Sequence, residues 1–268
     1  MSTAPLVPHV RPIAATRPTR AGLLVAEWVK LRSLRSTWIL LAAVVVLLIA
    51  VPAFSAVGAV VQGASRGPSG EADVLAATLA GVSPVEFLVA ALGALAVTGE
   101  YSSGLIRVTL AAVPRRLPVL LAKALVVGAA ILVTAVVSVL AAFVAVRLVL
   151  ASAGLSASAG VPAVLTTALS AGAYLSGLAL IGMAFGWMVR STVGALAAFF
   201  GFLYVPPLLA MIPGGQGFAP FLPSNAGAAL LHGSVADPVM ATRGGLVFAA
   251  WVTALLVVAA LVLRRRDA

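Results

Sequence analysis

The 268-residue sequence contains no cysteine and few charged residues. Without cysteine, the chain has no disulfide, no thiolate metal site and no cysteine nucleophile. Charged residues make up 9% of the sequence and hydrophobic residues 62%, whereas a soluble domain carries about a quarter charged residues. So few charges could not keep the folded chain dispersed in water. The composition therefore predicts an integral membrane protein built from α-helices.

Lysine and histidine are also scarce, which excludes two classes of chemistry. The two lysines, Lys30 and Lys123, do not follow the G-x-x-x-x-G-K-[ST] pattern of a phosphate-binding loop, so this chain is not predicted to be an ATPase. The two histidines, His9 and His232, lie in a tail and in a predicted external loop. Neither can form an H-E-x-x-H metal site or act as base for a visible nucleophile. An enzyme is therefore disfavoured.

Long apolar runs indicate where the chain crosses the membrane. A helical crossing needs roughly 20 apolar residues, and six runs satisfy this length, at about residues 38–60, 74–98, 117–146, 162–189, 193–212 and 246–263. With the N-terminus inside, 14 of the 17 basic residues fall on the inner side, which predicts that both termini are cytoplasmic. We expect residues 1–20 to be a disordered cytoplasmic tail and residues 21–268 to be one transmembrane domain.

The basic residues also bear on partners and source. They flank apolar runs and form no soluble basic module, so the net charge of +10 does not predict binding to nucleic acid. Arginine outnumbers lysine 15 to 2, and alanine, valine, glycine and leucine dominate. This bias is typical of a GC-rich bacterial genome, and the expected location is the bacterial plasma membrane, with the lipid bilayer as solvent.

Residues 22–36 are predicted to form an elbow helix that lies in the inner membrane interface before the first span. At helical spacing one apolar stripe contains Leu24, Trp28 and Leu31. The charged residues are expected to project away from this stripe or to reach the lipid phosphates: Glu27, Lys30, Arg32 and Arg35. The other interpretation is a basic flank that only fixes the topology.

Residues 100–113, between the second and third runs, are predicted to form a short cytoplasmic helix. Glu100 stands at its positive end, and Pro114 with Arg115 and Arg116 ends it. Two apolar stripes run along it, one with Tyr101, Leu105, Val108 and Ala112 and the other with Ile106, Leu110 and Val113. A surface helix needs one apolar face, so two indicate a helix held between its own spans and a docked partner. An ordinary loop helix is the alternative.

Glu86 is the one acidic residue within the apolar part of a predicted span. It could line a pathway beyond the midplane of the second span, about 18 Å from the inner edge. The favoured interpretation is that Pro84 breaks the helix and leaves Glu86 at the outer interface. Ion-coupled carriers depend on such intramembrane charges, so Glu86 is also the residue on which a carrier or channel would depend.

Two segments make predictions about packing. Residues 213–243 are too apolar for a linker and too broken by glycine and proline for a span, so we expect external re-entrant helices there. In the fourth run, the spacing of Gly172 with Ser176 and of Gly182 with Gly186 predicts close approach of neighbouring helices.

Three stretches together resemble a known family. They are AEWVKLRSLRSTW at 26–38, GEYSSGLIRVTLAAVPRR at 99–116 with Lys123 after it, and FLPSNAG at 221–227. On a frame of six spans with both ends inside, they resemble the permease subunits of ABC-2 type ABC transporters, particularly actinobacterial ones. The likeness extends from Leu23 to Arg266 in the order of the family.

The resemblance implies an exporter in which a separate cytoplasmic subunit binds ATP and magnesium, while this chain holds no cofactor. A coupling helix between spans two and three would contact that subunit through Glu100, Tyr101, Gly104, Arg107, Pro114 and Arg116. The elbow helix, from Glu27 to Arg35, would help to cradle it, and residues 213–243 would cap the pathway. A second permease copy or a paralogue would complete the assembly. The apolar spans suit a hydrophobic or amphipathic substrate, such as a drug, a natural product or a lipid. The alternative is an ion-coupled secondary transporter or a channel-like protein.

Overall fold

Apolar sequence folds into helices where water is scarce, because a helix satisfies its own backbone hydrogen bonds. The computed structural model describes residues 19–61, 70–112, 116–155, 158–209 and 217–265. All secondary structure in these residues is helical, and they contain no strand. The expected disordered tail, residues 1–20, lies almost wholly outside them.

Ten α-helices make up this part of the chain. They are α1 (Arg20–Ser33), α2 (Arg35–Val61), α3 (Glu71–Thr78), α4 (Val82–Ser102), α5 (Leu105–Ala112), α6 (Arg116–Ser152), α7 (Val161–Val189), α8 (Thr192–Leu209), α9 (Pro223–Ala236) and α10 (Pro238–Arg265). A 3₁₀ turn, Leu79–Gly81, joins α3 to α4, and another, Ala219–Phe221, precedes α9.

Five stretches are long and apolar enough to cross a membrane: α2, the continuous segment Glu71–Ser102, α6, α7 and α10. They support a multi-pass membrane protein. Helix α8 coincides with the fifth predicted span but has only 18 residues, or about 27 Å at 1.5 Å per residue. A typical hydrocarbon core is roughly 30 Å thick. The described residues thus give five candidate spans and one shorter apolar helix where six spans were predicted.

Helix α7 is the centre of the bundle and packs on α4, α6, α8, α9 and α10. Both predicted small-residue pairs lie at helix contacts. Gly182 and Gly186 face α4, where a Cβ at Gly182 would collide with the carbonyl oxygen of Ala90. Gly172 and Ser176 face α6, and the Ser176 hydroxyl donates to the Gly128 carbonyl at 2.9 Å. The predicted close packing is confirmed for both pairs.

The region predicted to be re-entrant contains α9, which runs antiparallel to the first half of α10. Helix α9 begins level with the middle of α10, because the Trp251 indole N–H donates to the Phe221 carbonyl at 2.8 Å. Trp251 lies thirteen residues into α10, or about 20 Å along its axis. At the other end, the Asp237 carboxylate accepts the backbone N–H of Val239 at 2.9 Å and so caps α10. Helix α9 therefore extends from mid-depth to the end of the bundle.

One end of the bundle gathers α1, α5, the start of α6 and the C-terminal ends of α4, α7 and α10. We call it the α1 end. Lys30 of α1 donates to the Thr109 hydroxyl of α5 at 3.3 Å, and the Arg116 guanidinium donates to the Leu263 carbonyl of α10 at 2.7 Å. Helix α9 and the first turns of α7 and α10 lie towards the opposite end.

A substitution of Gly93 tests the close approach of α4 and α7. A Cβ at Gly93 would collide with the carbonyl oxygen of Ala179, and overpacking of this kind costs about 1–3 kcal/mol. We expect Gly93→Ala to lower the thermal unfolding midpoint of the protein in detergent. Gly201→Ala in α8 is the matched control, because nothing lies within 4 Å of its Cβ position. Equal midpoints for the two variants would contradict the observed packing.

Candidate functional site

Four charged side chains from three helices meet at the α1 end, and we call them the charge network: Glu27 and Lys30 of α1, Glu100 of α4 and Lys123 of α6. The Lys123 ammonium lies 2.5 Å from Glu27 and 2.8 Å from Glu100. The Lys30 ammonium lies 2.7 Å from Glu27 and 2.9 Å from Glu100. Each lysine therefore contacts both glutamates. The network uses both lysines of the chain and two of its four glutamates.

The charge network is buried and electrically balanced. Glu27, Glu100 and Lys123 are 4%, 7% and 3% exposed, and Lys30 is partly exposed. Burial opposes the charge on Lys30, but the hydrogen bonds and charges of Glu27 and Glu100 outweigh it and raise its pKa above the ordinary 10.5. Lys30 therefore stays protonated through neutral and mildly alkaline pH. Removing one member of a buried network leaves an uncompensated charge, which is strongly unfavourable.

Helical spacing on α1 brings Glu27 and Lys30 to the bundle together with Leu31, which is also buried. Glu27 and Lys30 were expected to project away from the stripe of Leu24, Trp28 and Leu31, but Glu27 is buried beside Leu31 and Lys30 is partly buried. Trp28 is exposed, as suits a residue at the membrane interface. The partner that pulls the charges inward is Lys123, far along the sequence on α6. Leu34 adopts an extended conformation (φ −87°, ψ 122°) and separates α1 from α2.

The other two charged residues predicted for the elbow helix lie on different helices, Arg32 on α1 and Arg35 at the start of α2. Arg32 and Arg35 are exposed, as is Trp38 at the start of α2. The Trp38 indole N–H donates to the Arg32 carbonyl at 2.9 Å, which fixes the turn from α1 into α2. The start of the described chain, from α1 into α2, thus has an inner side with the ion-paired Glu27 and Lys30 and an outer side with arginine and tryptophan.

The short helix predicted at 100–113 begins later, at Leu105. Helix α4 continues through Glu100 and Tyr101 to Ser102, so Glu100 belongs to the end of a span and does not lie at the start of the short helix. The break falls at Gly104, whose φ of 73° lies in the left-handed region that favours glycine. The chain thereby turns away from α4 and starts α5 along the face of the bundle.

Helix α5 has one apolar side against the bundle and another that is open. Ile106 is buried, whereas Leu105 is 42% and Val108 is 67% exposed. This arrangement agrees with the prediction that the two apolar stripes point in different directions. Thr109 ties the helix to the charge network through its hydrogen bond with Lys30.

Two further residues predicted to contact a partner face the bundle. The Tyr101 ring packs edge-on against Trp187 at 6.0 Å, and the Arg190 guanidinium lies 5.1 Å from the centre of the Tyr101 ring. Arg116 is half-buried and caps the C-terminal end of α10. Pro114 and the side chain of Arg107 lie outside the described part of the chain, so no contact is assigned to them.

Sequence reasoning did not include Lys123 among the site residues. The available signal was its position within the third apolar run, because a charge inside a span is costly and is usually retained for a function. A cavity of about 170 Å³ opens beside the network between α1, α4 and α6, and Leu34 and Leu105 contribute to its lining. Across the described residues, no group of three His, Cys, Asp or Glu side chains could hold a metal ion. The ion pairs of the charge network join α1, α4 and α6.

Glu86 forms a second polar site, in the middle of the helical segment Glu71–Ser102. The Tyr174 hydroxyl of α7 donates to one carboxylate oxygen at 2.9 Å, and the Tyr204 hydroxyl of α8 donates to the other at 2.7 Å. The expectation that Pro84 breaks the helix is wrong, because α4 continues through it from Val82 to Ser102. The outer-interface position of Glu86 stays a prediction. Pro84 lies in the first turn of α4, where a missing N–H costs little.

Comparisons with known proteins name no family. The sequence matches no protein-family model, and no curated protein matches it.

Removal of the Lys123 ammonium tests whether the charge network stabilises the α1 end. Lys123→Met leaves two buried glutamates with one lysine, and breaking a buried pair costs about 3–5 kcal/mol. We expect a clear loss of thermal stability, with partial recovery in the double variant Lys123→Met with Glu27→Gln, which restores the charge balance. Arg147→Gln, an exposed position on the same helix, is the control. A Lys123→Met protein as stable as the control would contradict a stabilising network.

Proposed function

We propose that this chain is the membrane-spanning permease subunit of an ATP-driven ABC exporter in the bacterial plasma membrane. With a second permease copy or a paralogue it forms the translocation pathway, and a separate cytoplasmic subunit supplies the power stroke. The observation that carries the proposal is the open apolar side of α5, which is joined to the buried charge network behind it.

The exposed side of α5 fits a docked protein better than it fits water or lipid. Leu105 and Val108 are exposed beside Gly104 and the hydroxyls of Ser102 and Ser103. A partner that covers Leu105 and Val108 would remove apolar surface from water. Because Ile106 holds the opposite side of α5 in the bundle, a push on the helix would be passed to the spans.

The charge network provides the route for such a push. Lys30 contacts Thr109 of α5, Glu27 of its own helix and Glu100 at the end of α4. Lys123 extends the same contacts to α6. A displacement of α5 would therefore reach the elbow helix and two spans through side chains that cannot separate without exposing a buried charge to apolar surroundings.

The distribution of basic residues supports a cytoplasmic location for the α1 end. With this end inside, 14 of the 17 lysines and arginines lie on the cytoplasmic side, as the positive-inside rule requires. The same assignment makes α9 an external element that extends into the bundle from outside. This orientation needs six crossings, and in the proposal α8 is the sixth beside the five candidate spans.

The sequence supports the proposed energy source and the proposed substrate class. The sequence has no phosphate-binding loop, so ATP-driven movement requires ATP and magnesium in a partner subunit. The spans are largely apolar, which favours a hydrophobic or amphipathic substrate such as a drug, a natural product or a lipid.

Co-purification with the partner ATPase tests the docking role of α5. The partner to be tested is a P-loop ATPase encoded next to the gene of this chain, if one is found there, expressed with it and purified through a tag on the permease. We expect Val108→Glu to reduce the bound ATPase severalfold, because it places a charge on the apolar contact. Val239→Glu, at an exposed apolar position near the opposite end, is the control. Equal recovery of the ATPase with both variants would count against docking at α5.

An ion-coupled secondary transporter is the second candidate, and Glu86 is the observation that favours it. Intramembrane carboxylates are costly and commonly serve ion or proton pathways. In energised membrane vesicles, ATP depletion and collapse of the proton gradient separate the two mechanisms. Export that stops on ATP depletion supports the exporter, and export that survives ATP depletion but stops with the gradient supports the carrier.

A further inference from the structure

We infer that Glu86, Tyr174 and Tyr204, with the aromatic rings beside them, form a binding site for lipophilic organic cations within the membrane-spanning part of the chain. The statement that such a cation is a transported substrate rests on the proposed function. Binding of the cation to the site does not depend on that function and can be measured with this chain alone.

Glu86 lies near the middle of a candidate membrane span. It lies fifteen residues after Glu71 and sixteen before Ser102, at the middle of one helical segment. Its partner Tyr174 is likewise near the middle of α7. A carboxylate at this depth is expensive wherever it faces lipid, so it normally faces a pathway or a ligand.

Two hydroxyl groups fix the orientation of the Glu86 carboxylate. Each of its oxygens accepts one tyrosine hydroxyl, at 2.9 and 2.7 Å. These donors are hydroxyl groups and carry no positive charge. No ion pair within the described ranges includes Glu86. Glu86 is only half-buried and Tyr204 is exposed, so a cation can approach from the side of α8.

Aromatic rings form the surface beside Glu86 on the side of α8. Phe87 lies edge-on to Phe199 at 6.0 Å and to Phe200 at 6.5 Å, and Phe200 lies 5.0 Å from Tyr204. Phe87, Phe200 and Tyr204 are exposed, while Phe199 is fully buried and anchors the group. Aromatic faces attract ammonium groups and also cover apolar substituents. A carboxylate beside several open rings is therefore suited to a cation with a hydrophobic body.

The composition of the site disfavours an inorganic ion. Calcium takes six to eight oxygen ligands, and magnesium demands near-octahedral coordination. Here one carboxylate and two hydroxyls are surrounded by aromatic rings. Sodium or a lone proton would also leave the rings without a role.

The site is held in place before a ligand arrives. The Tyr174 ring packs against Phe248 of α10 at 5.2 Å. On its other side it touches the backbone of α9 at Gly227, where any Cβ would overlap the ring. The Tyr174 hydroxyl is thus fixed in its position towards Glu86, and little ordering is needed on binding.

Binding of tetraphenylphosphonium to the purified chain in nanodiscs tests the inference, with isothermal titration calorimetry as the measurement. Tetraphenylborate has the same shape and the opposite charge. We expect the wild type to bind the phosphonium, and to bind the borate no more than empty nanodiscs do. Glu86→Gln should weaken phosphonium binding at least about tenfold, as expected for loss of a desolvated charge pair. Tyr204→Phe should weaken it severalfold.

Glu71→Gln is the matched control, because Glu71 is exposed and, in the part of the chain that the structure describes, its carboxylate accepts the backbone N–H of Gly160 at 2.9 Å. Elution volume and thermal midpoint establish that each variant is folded, and Tyr204→Phe keeps the test valid if Glu86→Gln is unstable. Unchanged phosphonium affinity in folded Glu86→Gln or Tyr204→Phe, or equal binding of the two probes, would overturn the inference. Since no ATPase is present, failure here is separate from failure of docking at α5.

Discussion

Two glutamates and two lysines can be buried among apolar helices only while every charge keeps its partners. The charge network meets this constraint because each lysine contacts both glutamates. Its members come from α1, α4 and α6, and Thr109 attaches α5 to it. An apolar contact would tolerate sliding of one helix over another. The network favours a single arrangement, since a shift of any member leaves a charge unpaired in surroundings of low polarity.

Much of the fold follows from local sequence. The apolar runs predict the long helices, because hydrophobic length decides which segments avoid water. The small-residue pairs of α7 predict its close contacts, since close helix approach requires small side chains. The ends of helices were predicted less well. The sequence favoured a helix start at Glu100, because an acidic residue is stabilising at that end of a helix. In the structure α4 continues past Glu100, and the break comes at Gly104, whose left-handed conformation favours glycine.

The two polar sites were harder to predict, because their partners are remote in sequence. The periodicity of α1 placed Glu27 and Lys30 away from its apolar stripe, since periodicity considers one helix alone. Their inward direction depends on Lys123, which lies 96 residues after Glu27. Glu86 is similar, since its hydroxyl donors come from α7 and α8, 88 and 118 residues away. Single-sequence patterns carry no information about such pairings, whereas the rarity of lysine and of intramembrane acids marks the residues involved.

Helix α4 connects the two polar sites. Glu86 and Glu100 lie fourteen residues apart, or about 21 Å along the helix axis. Between them the backbones of α4 and α7 approach closely, because a Cβ at Gly93 would collide with the Ala179 carbonyl oxygen. The polar contacts of Glu86 and Glu100 favour one position of α4. A movement of α4 that separates Glu100 from its lysines also draws Glu86 away from Tyr174 and Tyr204, which belong to α7 and α8. Under the proposed function, engagement of α5 and release of a bound cation would therefore be coupled through one rigid helix.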